Sequence, residues 1–347
     1  MIRSVTFEVR VLRSGAQLAR LRWPDELPPT VYASASAAVK ASLSGTFFPA
    51  PEMDLARDEL QAVMIEDGVE TPIGVFVPTT ATDVRDGAAR MVQLQAYDRT
   101  YYLSDTRTAS TLCFAAGRVY TAVINELVTL AGSPAALVVP SDKVLATDRA
   151  DWPMGTDVLT IANDLLREIG YAPIWADPRG FLRAAPAPAL DGSRIDWVYT
   201  PSGTPAQRLT AGGSSRSDLW SRPNVFVLIC ANPDLPAPLV ATAKNENPVS
   251  ASSILRRGRE IVTVQQVDNV PDQAALQAMA DRICRESMMG TQTVTFETPL
   301  QAGHGIGDVV AIQHPDFTGL FRETAWSMDL RAGAIMQHTA ERMMPNA

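Results

Sequence analysis

The sequence is poor in residues that build metal or redox sites. It has three cysteines, and Cys113, Cys230 and Cys284 lie too far apart for the CxxC spacing of a zinc or redox centre. An odd number of cysteines is also a poor framework for disulfides, so we expect free, buried thiols in a reducing compartment. The sequence therefore predicts no metal and no other cofactor.

The histidines are equally sparse. None of His304, His314 and His338 is spaced four residues from another. His304 lies in the glycine-rich turn 303–307, where we expect the backbone of the loop to bind its ring. The glycines do not predict a nucleotide site, because a strand at 308–312 follows them instead of the helix whose N-terminus would hold a phosphate.

Clustered positive charge and long apolar segments are missing too. The chain has 30 Lys and Arg against 38 Asp and Glu, a net charge of −8, which does not attract duplex nucleic acid. Residues 1–10 alternate as a strand does and lack the apolar core of a signal peptide. No apolar run approaches the ~18 residues that span a bilayer. We therefore expect a soluble product, made in the cytoplasm, that does not insert into a membrane.

Alternation of apolar and polar residues is the strongest pattern that the sequence does contain. Between residues 58 and 99 it predicts three strands joined by turns that carry Gly, Pro and Asp. Residues 5–11 and 39–47 alternate in the same way. The first 108 residues are therefore predicted to form a β-domain.

Residues 109–193 have a different pattern. Apolar residues at helical spacing predict two helices, each ended by a glycine, and a hairpin after them. These elements are a helix at 119–130, a helix at 156–169 and a hairpin across Asp177–Arg179. The segment is therefore predicted to be a small α/β module.

The last segment, 194–347, is predicted to be β-rich with one helix, and it forms a separate domain or completes the first one. Residues 184–193 and 201–217, rich in Pro, Ala, Gly and Ser, are interpreted as linkers or loops. The Gly212–Ser217 stretch lacks the G-x-S-x-G pattern of a hydrolase nucleophile. The predicted fold class is α+β and mostly β.

The acidic residues do not form an obvious catalytic pair. Asp54, Asp58 and Glu59 are expected to be solvated at strand ends, not to act as glycosidase acids. The adjacent Asp98 and Arg99 are interpreted as an ion pair that fixes the end of a strand.

A polar segment at 245–259 is the main candidate for binding. It can bind an anion or contact a neighbouring subunit, and we favour the subunit contact. The candidate contact residues are Asn247, Ser252, Arg256, Arg257 and Arg259.

The order of several short segments resembles that of a known family. These segments are a strand at Gly74–Phe76, a strand that ends in Tyr97–Arg99, a helical insert, Asn224–Val227, Asn247-Pro248 with a serine run, Arg257–Arg259, and an Ala-, Leu- and Arg-containing helix before Gly307–Val310. In this order they resemble the baseplate hub proteins at the tip of phage and prophage tails, including those of contractile tails.

The resemblance implies tube-like β-barrel domains with an inserted α/β module, and a homotrimeric ring in the virion tail. Such a ring joins the tail tube or distal tail protein to a spike or tip protein. DNA or effectors pass through its lumen without specific binding, and assembly takes place in the host cytoplasm. The resemblance therefore implies a structural protein, not an enzyme.

Two alternative functions remain. A tail-associated cell-wall hydrolase needs a positioned acid and base or a zinc cluster, and the sequence predicts neither. A receptor-binding module for carbohydrate needs clustered exposed aromatics, whereas the six tryptophans are dispersed along the chain.

Overall fold

A computed structural model describes residues 4–86, 89–133, 136–187, 190, 192–204, 207–210, 212–217, 222–230, 238–250, 252–267, 272–287 and 289–345. The strands are β1 (Val5–Arg13), β2 (Ala16–Leu21), β3 (Thr30–Ser34), β4 (Ala41–Phe47), β5 (Glu59–Glu66), β6 (Val69–Asp86), β7 (Ala89–Asp98), β8 (Leu137–Val138), β9 (Trp175–Ala176), β10 (Leu182–Ala184), β11 (Trp197–Tyr199), β12 (Gly213–Ser217), β13 (Val225–Cys230), β14 (Leu239–Lys244), β15 (Val262–Val267), β16 (Met289–Pro299), β17 (Val309–Gln313), β18 (Thr318–Asp329) and β19 (Ile335–Pro345). The helices are α1 (Thr100–Asp105), α2 (Tyr120–Leu130), α3 (Val158–Glu168), α4 (Ile254–Arg257) and α5 (Gln273–Ser287).

The chain divides into two compact units. Unit 1 comprises residues 1–213 and 295–340, and unit 2 comprises residues 214–294 and 341–347. The predicted division of the sequence at residues 108 and 193 stays a prediction. Among the described residues, no helix combines the length and the hydropathy that crossing a bilayer requires.

The main sheet of unit 1 confirms the predicted α+β, mostly β fold class. From β19 its strands follow the order β19-β18-β3-β4-β7-β6-β5-β1-β2, and β17 pairs with β18 and β11. Alternate side chains such as Val9, Leu60 and Phe76 point into one buried core. As a correction to the predicted β-barrels, the described strands have an open order, because β2 pairs only with β1.

The helical segment of unit 1 has a core of its own, and its elements confirm the predicted helices and hairpin. The Asp157 side chain accepts a hydrogen bond of 2.8 Å from the Thr160 N–H and so caps α3. Gly170 follows α3 with a φ of 79°, which a glycine adopts at little cost. Leu165 on α3 is fully buried in the same cluster as Leu182 of the β9–β10 hairpin.

Arg99 does not pair with Asp98, which corrects the prediction from their adjacency. Its guanidinium binds the Glu59 carboxylate at 2.6 and 2.7 Å and donates to the carbonyl of Gly180 at 3.0 Å. Asp98 instead accepts hydrogen bonds from Thr100 and from the Ala41 N–H. Asp98 ends β7, whereas Arg99 has the helical backbone conformation of the residue before α1, so the two side chains have different partners.

Asp58 is also not the solvated carboxylate that we expected. It is 2% exposed and binds the Arg13 guanidinium at 2.7 and 2.8 Å. Hydrogen bonds from Arg13 and from the Asp54 N–H lower the pKa of Asp58 to about 2. The opposite charge lies on β1, far away in sequence, so local sequence gives no sign of the pair.

Unit 2 contains a three-stranded sheet in the order β14-β13-β15. One face packs on α5 through a buried cluster that includes Phe226, Leu228, Leu276, Cys230 and Cys284. These two cysteines are buried as expected, but Cys113 is exposed because it lies in the loop between α1 and α2. A further correction is β12, a strand within a segment that we interpreted as a loop.

A buried histidine–glutamate centre and a structured loop as candidate functional sites

Three titratable side chains meet inside unit 1. His304 lies in the loop between β16 and β17, Glu323 lies on β18 and His338 lies on β19. Their side chains have no exposed surface. We call these three residues the histidine–glutamate centre.

Every polar group of this centre has a partner. The two oxygens of Glu323 lie 2.6 Å from His304 Nδ1 and 2.5 Å from His338 Nδ1. On the far side of each ring, His304 Nε2 lies 2.7 Å from the Tyr199 hydroxyl and His338 Nε2 lies 2.8 Å from Thr298 Oγ1. With an ionised Glu323, both Nδ1 atoms carry the proton and donate to the carboxylate.

Aromatic rings surround the centre. Trp197 stacks on His304 with ring centroids 4.2 Å apart, and Phe296 stacks on His338 at 4.7 Å. The two imidazoles are 4.9 Å apart. The centre is therefore packed among flat side chains, which strengthens the electrostatic interactions within it.

Burial changes the protonation of these groups. Burial alone would raise the pKa of Glu323, but attraction to His304 and hydrogen bonds from both imidazoles lower it. Burial lowers the pKa of His338 and, together with the charges of Glu323 and Asp308, raises the pKa of Tyr199. The carboxylate therefore stays ionised at neutral pH.

The distances in the centre are those of hydrogen bonds. Ligands that share a tetrahedral zinc ion lie about 3.3 Å apart, because each lies about 2.0–2.1 Å from the metal. The Nδ1 atoms of His304 and His338 are closer than this to the Glu323 oxygens, at 2.6 and 2.5 Å. The absence of a metal stays a prediction.

The sequence interpretation of His304 needs a correction. Its ring is bound by the side chains of Glu323 and Tyr199, not by the loop backbone. The centre was missed because its members are 19 and 15 residues apart. One signal was available: Glu323 follows Phe321, and His338 follows Met336, at the inward positions of their strands.

The second candidate site is the segment 245–259 of unit 2, which we call the 245–259 loop. It joins β14 to β15, and its interior is a network of buried Asn and Ser side chains. Asn245 Nδ2 donates to the hydroxyls of Ser250 and Ser252 at 2.9 and 3.0 Å. Asn224 Nδ2 donates to the carbonyls of Ser252 and Arg259 at 3.1 and 3.0 Å. These bonds hold the loop in one conformation.

Helix α4 lies within this loop. The Ser253 hydroxyl accepts a hydrogen bond from the Arg256 N–H at 3.2 Å and so caps the helix. Gly258 ends the helix with a φ of 65°. The short helix fixes the direction of the arginines.

The five residues predicted for subunit contact have different environments. Asn247, Arg256 and Arg259 are exposed, whereas Ser252 is buried in the network. Arg257 is half-buried and donates to the carbonyl of Arg222 at 2.7 Å.

The loop also displays two apolar residues that the sequence interpretation missed. Val249 is 60% exposed and Leu255 is 65% exposed. Within the described chain, neither Arg256 nor Arg259 has a carboxylate within ion-pair distance. The exposed part of the loop is thus apolar and cationic.

No protein-family model matches this chain, and no curated protein is similar to it in sequence. Solved structures do share its fold. A tail protein from Neisseria meningitidis MC58 is 15% identical with a TM-score of 0.69, over 97% of this chain and 96% of that chain. The 43 kDa tail protein of prophage MuSo2 from Shewanella oneidensis is 10% identical with a TM-score of 0.66, over 98% and 99% of the two chains.

A third similar structure comes from a secretion system. It is an E. coli component of the type VI secretion system, described as structurally similar to the T4 bacteriophage tail proteins gp27 and gp5. It is 9% identical with a TM-score of 0.54, over 97% of this chain and 77% of that chain. Over nearly its whole length, this chain has the fold of phage and prophage tail proteins.

Proposed function

We propose that this chain is a structural component of a phage or prophage-derived tail and forms the baseplate hub. The observation that carries the proposal is the extent of the shared fold. The likeness to two tail proteins covers 97% and 98% of this chain, so it includes the β-sheets and the helical module together.

The proposed assembly is a homotrimeric ring. The open strand order supports it, since β2 at the end of the sheet leaves one row of backbone groups for another strand. In a ring, the same contact repeats from subunit to subunit until the edges are covered. The ring joins the tail tube or distal tail protein to the spike or tip protein, and DNA or effectors pass through it without specific binding.

A non-enzymatic role is part of this proposal. The two central histidines and Glu323 are the residues most suited to acid–base chemistry, but their side chains are buried and bound to one another. A substrate cannot reach them in this conformation. A zymogram on bacterial cell walls should show no clearing, whereas clearing by the purified chain would favour the hydrolase.

The 245–259 loop is the proposed subunit contact. A preorganised loop loses little conformational freedom on binding. Little of the binding energy of its exposed side chains is therefore spent on ordering the loop. Leu255 and Val249 offer apolar contact, and Arg256 and Arg259 can pair with carboxylates of the next copy. The chain has 38 acidic residues, which makes such partners plentiful. Ser252 and Arg257 support the loop from inside.

A deletion experiment tests the proposal. Removing the gene from the phage or prophage that encodes it should abolish complete tails in electron micrographs, and supplying the gene in trans should restore them. Complete, infectious tails made without this chain would contradict the proposal.

A further inference from the structure

The histidine–glutamate centre has no use in the proposed assembly role, yet it occupies the interior of unit 1. One imidazolium beside the Glu323 carboxylate is a neutral buried pair. A second imidazolium leaves a net positive charge among aromatic rings, and an unpaired buried charge is costly. The number of protons that the centre can hold is therefore limited.

The hydrogen-bond partners determine where an added proton can go. Protonation of either ring at Nε2 turns its hydroxyl partner from donor to acceptor. The Thr298 hydroxyl can then donate to the carbonyl of Pro299, which lies 3.0 Å away. The Tyr199 hydroxyl lies 3.4 Å from Gln301 Oε1 and also has a hydrogen-bond contact with Thr298. An added proton on His338 Nε2 is therefore accommodated when the Thr298 hydroxyl turns to Pro299.

Other charged groups face the centre from the elements around it. Asp308, just before β17, accepts hydrogen bonds from Trp197 Nε1 at 2.9 Å and from the Gly305 N–H at 2.8 Å. Asp196 precedes β11, and Arg194 bridges Asp196 and Asp308. Strand β16 contributes Thr298 and Phe296, which do not titrate.

We propose that the histidine–glutamate centre is an acid-sensitive lock that holds β11 and the loop 300–308 on β18 and β19. Acidification adds a second positive charge to the centre. The strand β11 and the loop 300–308 then detach from β18 and β19. These two segments detach first because β11 has three residues and, among the described strands, pairs only with β17. The loop is fixed to the sheet by the His304 side chain and by backbone bonds of Gly307 and Asp308 to Glu323.

The sign of the pH effect follows from proton binding. The pKa values of His338 and Glu323 are lowered in the folded chain. The unfolded chain therefore binds more protons, and folded stability falls as the pH drops below about 6.5 and again below about 4.5. Asp308 acts in the opposite direction, because burial raises its pKa.

Hydrogen–deuterium exchange of the intact protein tests the lock directly. Between pH 7.5 and 5.0, and after correction for intrinsic exchange rates, residues 195–200 and 300–308 should exchange about tenfold faster or more. Strands β1–β7 and α3 should stay protected. Simultaneous loss of protection over the whole chain, or no change in these two segments, would overturn the proposal.

Variants distinguish an acid response of the histidine–glutamate centre from a response of other titratable groups. His338→Gln and Glu323→Gln keep hydrogen-bonding groups but remove the titrating ones, so both should abolish or shift the acid response. Glu26→Gln, at an exposed position, is the matched control and should keep the wild-type response. An unchanged response in both centre variants would overturn the proposal. So would stoichiometric zinc in the purified protein whose removal by a chelator releases the same loop at pH 7.5.

Discussion

The histidine–glutamate centre of unit 1 and the 245–259 loop of unit 2 are both networks of buried polar side chains, but they face different environments. In the centre, each polar atom is bound by another side chain and nothing is left for a partner. In the loop, buried Asn and Ser side chains fix the backbone, and other residues, such as Val249 and Leu255, are exposed.

We infer from this difference that a buried polar network can serve two purposes. A closed network makes a segment depend on the protonation of its members, because any uncompensated charge is costly there. An open network supports exposed residues, which we propose form the subunit contact. The type of residue alone, Asn, Ser, His or Glu, does not tell which purpose applies.

Breaking the centre should have the largest effect. Glu323→Ala removes the carboxylate that both imidazoles bind, so the free energy of unfolding should fall by about 3–5 kcal/mol. Urea denaturation measures this change. The exposed Glu26 is the control, and Glu26→Ala should change stability by less than about 0.5 kcal/mol. A loss below ~1 kcal/mol for Glu323→Ala would mean that the centre is not a structural element.

Two leucines allow a comparison between a buried core position and an exposed surface position. Leu165 on α3 is fully buried, whereas Leu255 on α4 is 65% exposed. Leu165→Ala should lower the free energy of unfolding by about 2–5 kcal/mol through the cavity that it leaves. Leu255→Ala should cost less than about 0.5 kcal/mol. Thermal or urea denaturation of both variants measures these changes. Equal losses of unfolding free energy would contradict the assignment of Leu255 to the surface.

Asn245 tests the support beneath the loop. Asn245→Ala leaves the Ser250 and Ser252 hydroxyls without their amide donor, so we expect a loss of about 1–3 kcal/mol. Exposed Asn247 is the matched control, and Asn247→Ala should cost clearly less. If hydrogen exchange of residues 245–259 is unchanged in Asn245→Ala, the network does not fix the loop.

Reversing the charges of the exposed Arg256 and Arg259 should have the smallest effect on stability. Arg256→Glu with Arg259→Glu should change the free energy of unfolding by less than about 0.5 kcal/mol, because exposed charges contribute little. The double variant should nevertheless weaken ring formation, as measured by light scattering. Arg179→Glu with Arg331→Glu carries the same charge change at other exposed positions and should assemble normally. If Arg256→Glu with Arg259→Glu assembled as the wild type does, the 245–259 loop would not be part of the subunit contact.

The sequence predicted those parts of the fold that depend on local pattern. Helix α3 was found because its apolar spacing, its Asp157 cap and its closing Gly170 lie within a few residues of one another. Strands β5–β7 were found because alternation is also local. The same applies to the polar character of the 245–259 loop.

Pairs that form across the sheet could not be predicted in this way. Asp58 meets Arg13 only because β5 pairs with β1, and Arg99 meets Glu59 through the same sheet. The histidine–glutamate centre requires β18, β19 and a loop to come together. Its only local sign is a charged residue at an inward position of a strand, as at Glu323.

The mass of the purified chain in solution tests the ring-forming hub most directly. Light scattering over a range of concentrations should give a trimer of ~112 kDa, three times the 37.4 kDa of one chain. A stable dimer or a stable tetramer would contradict the account.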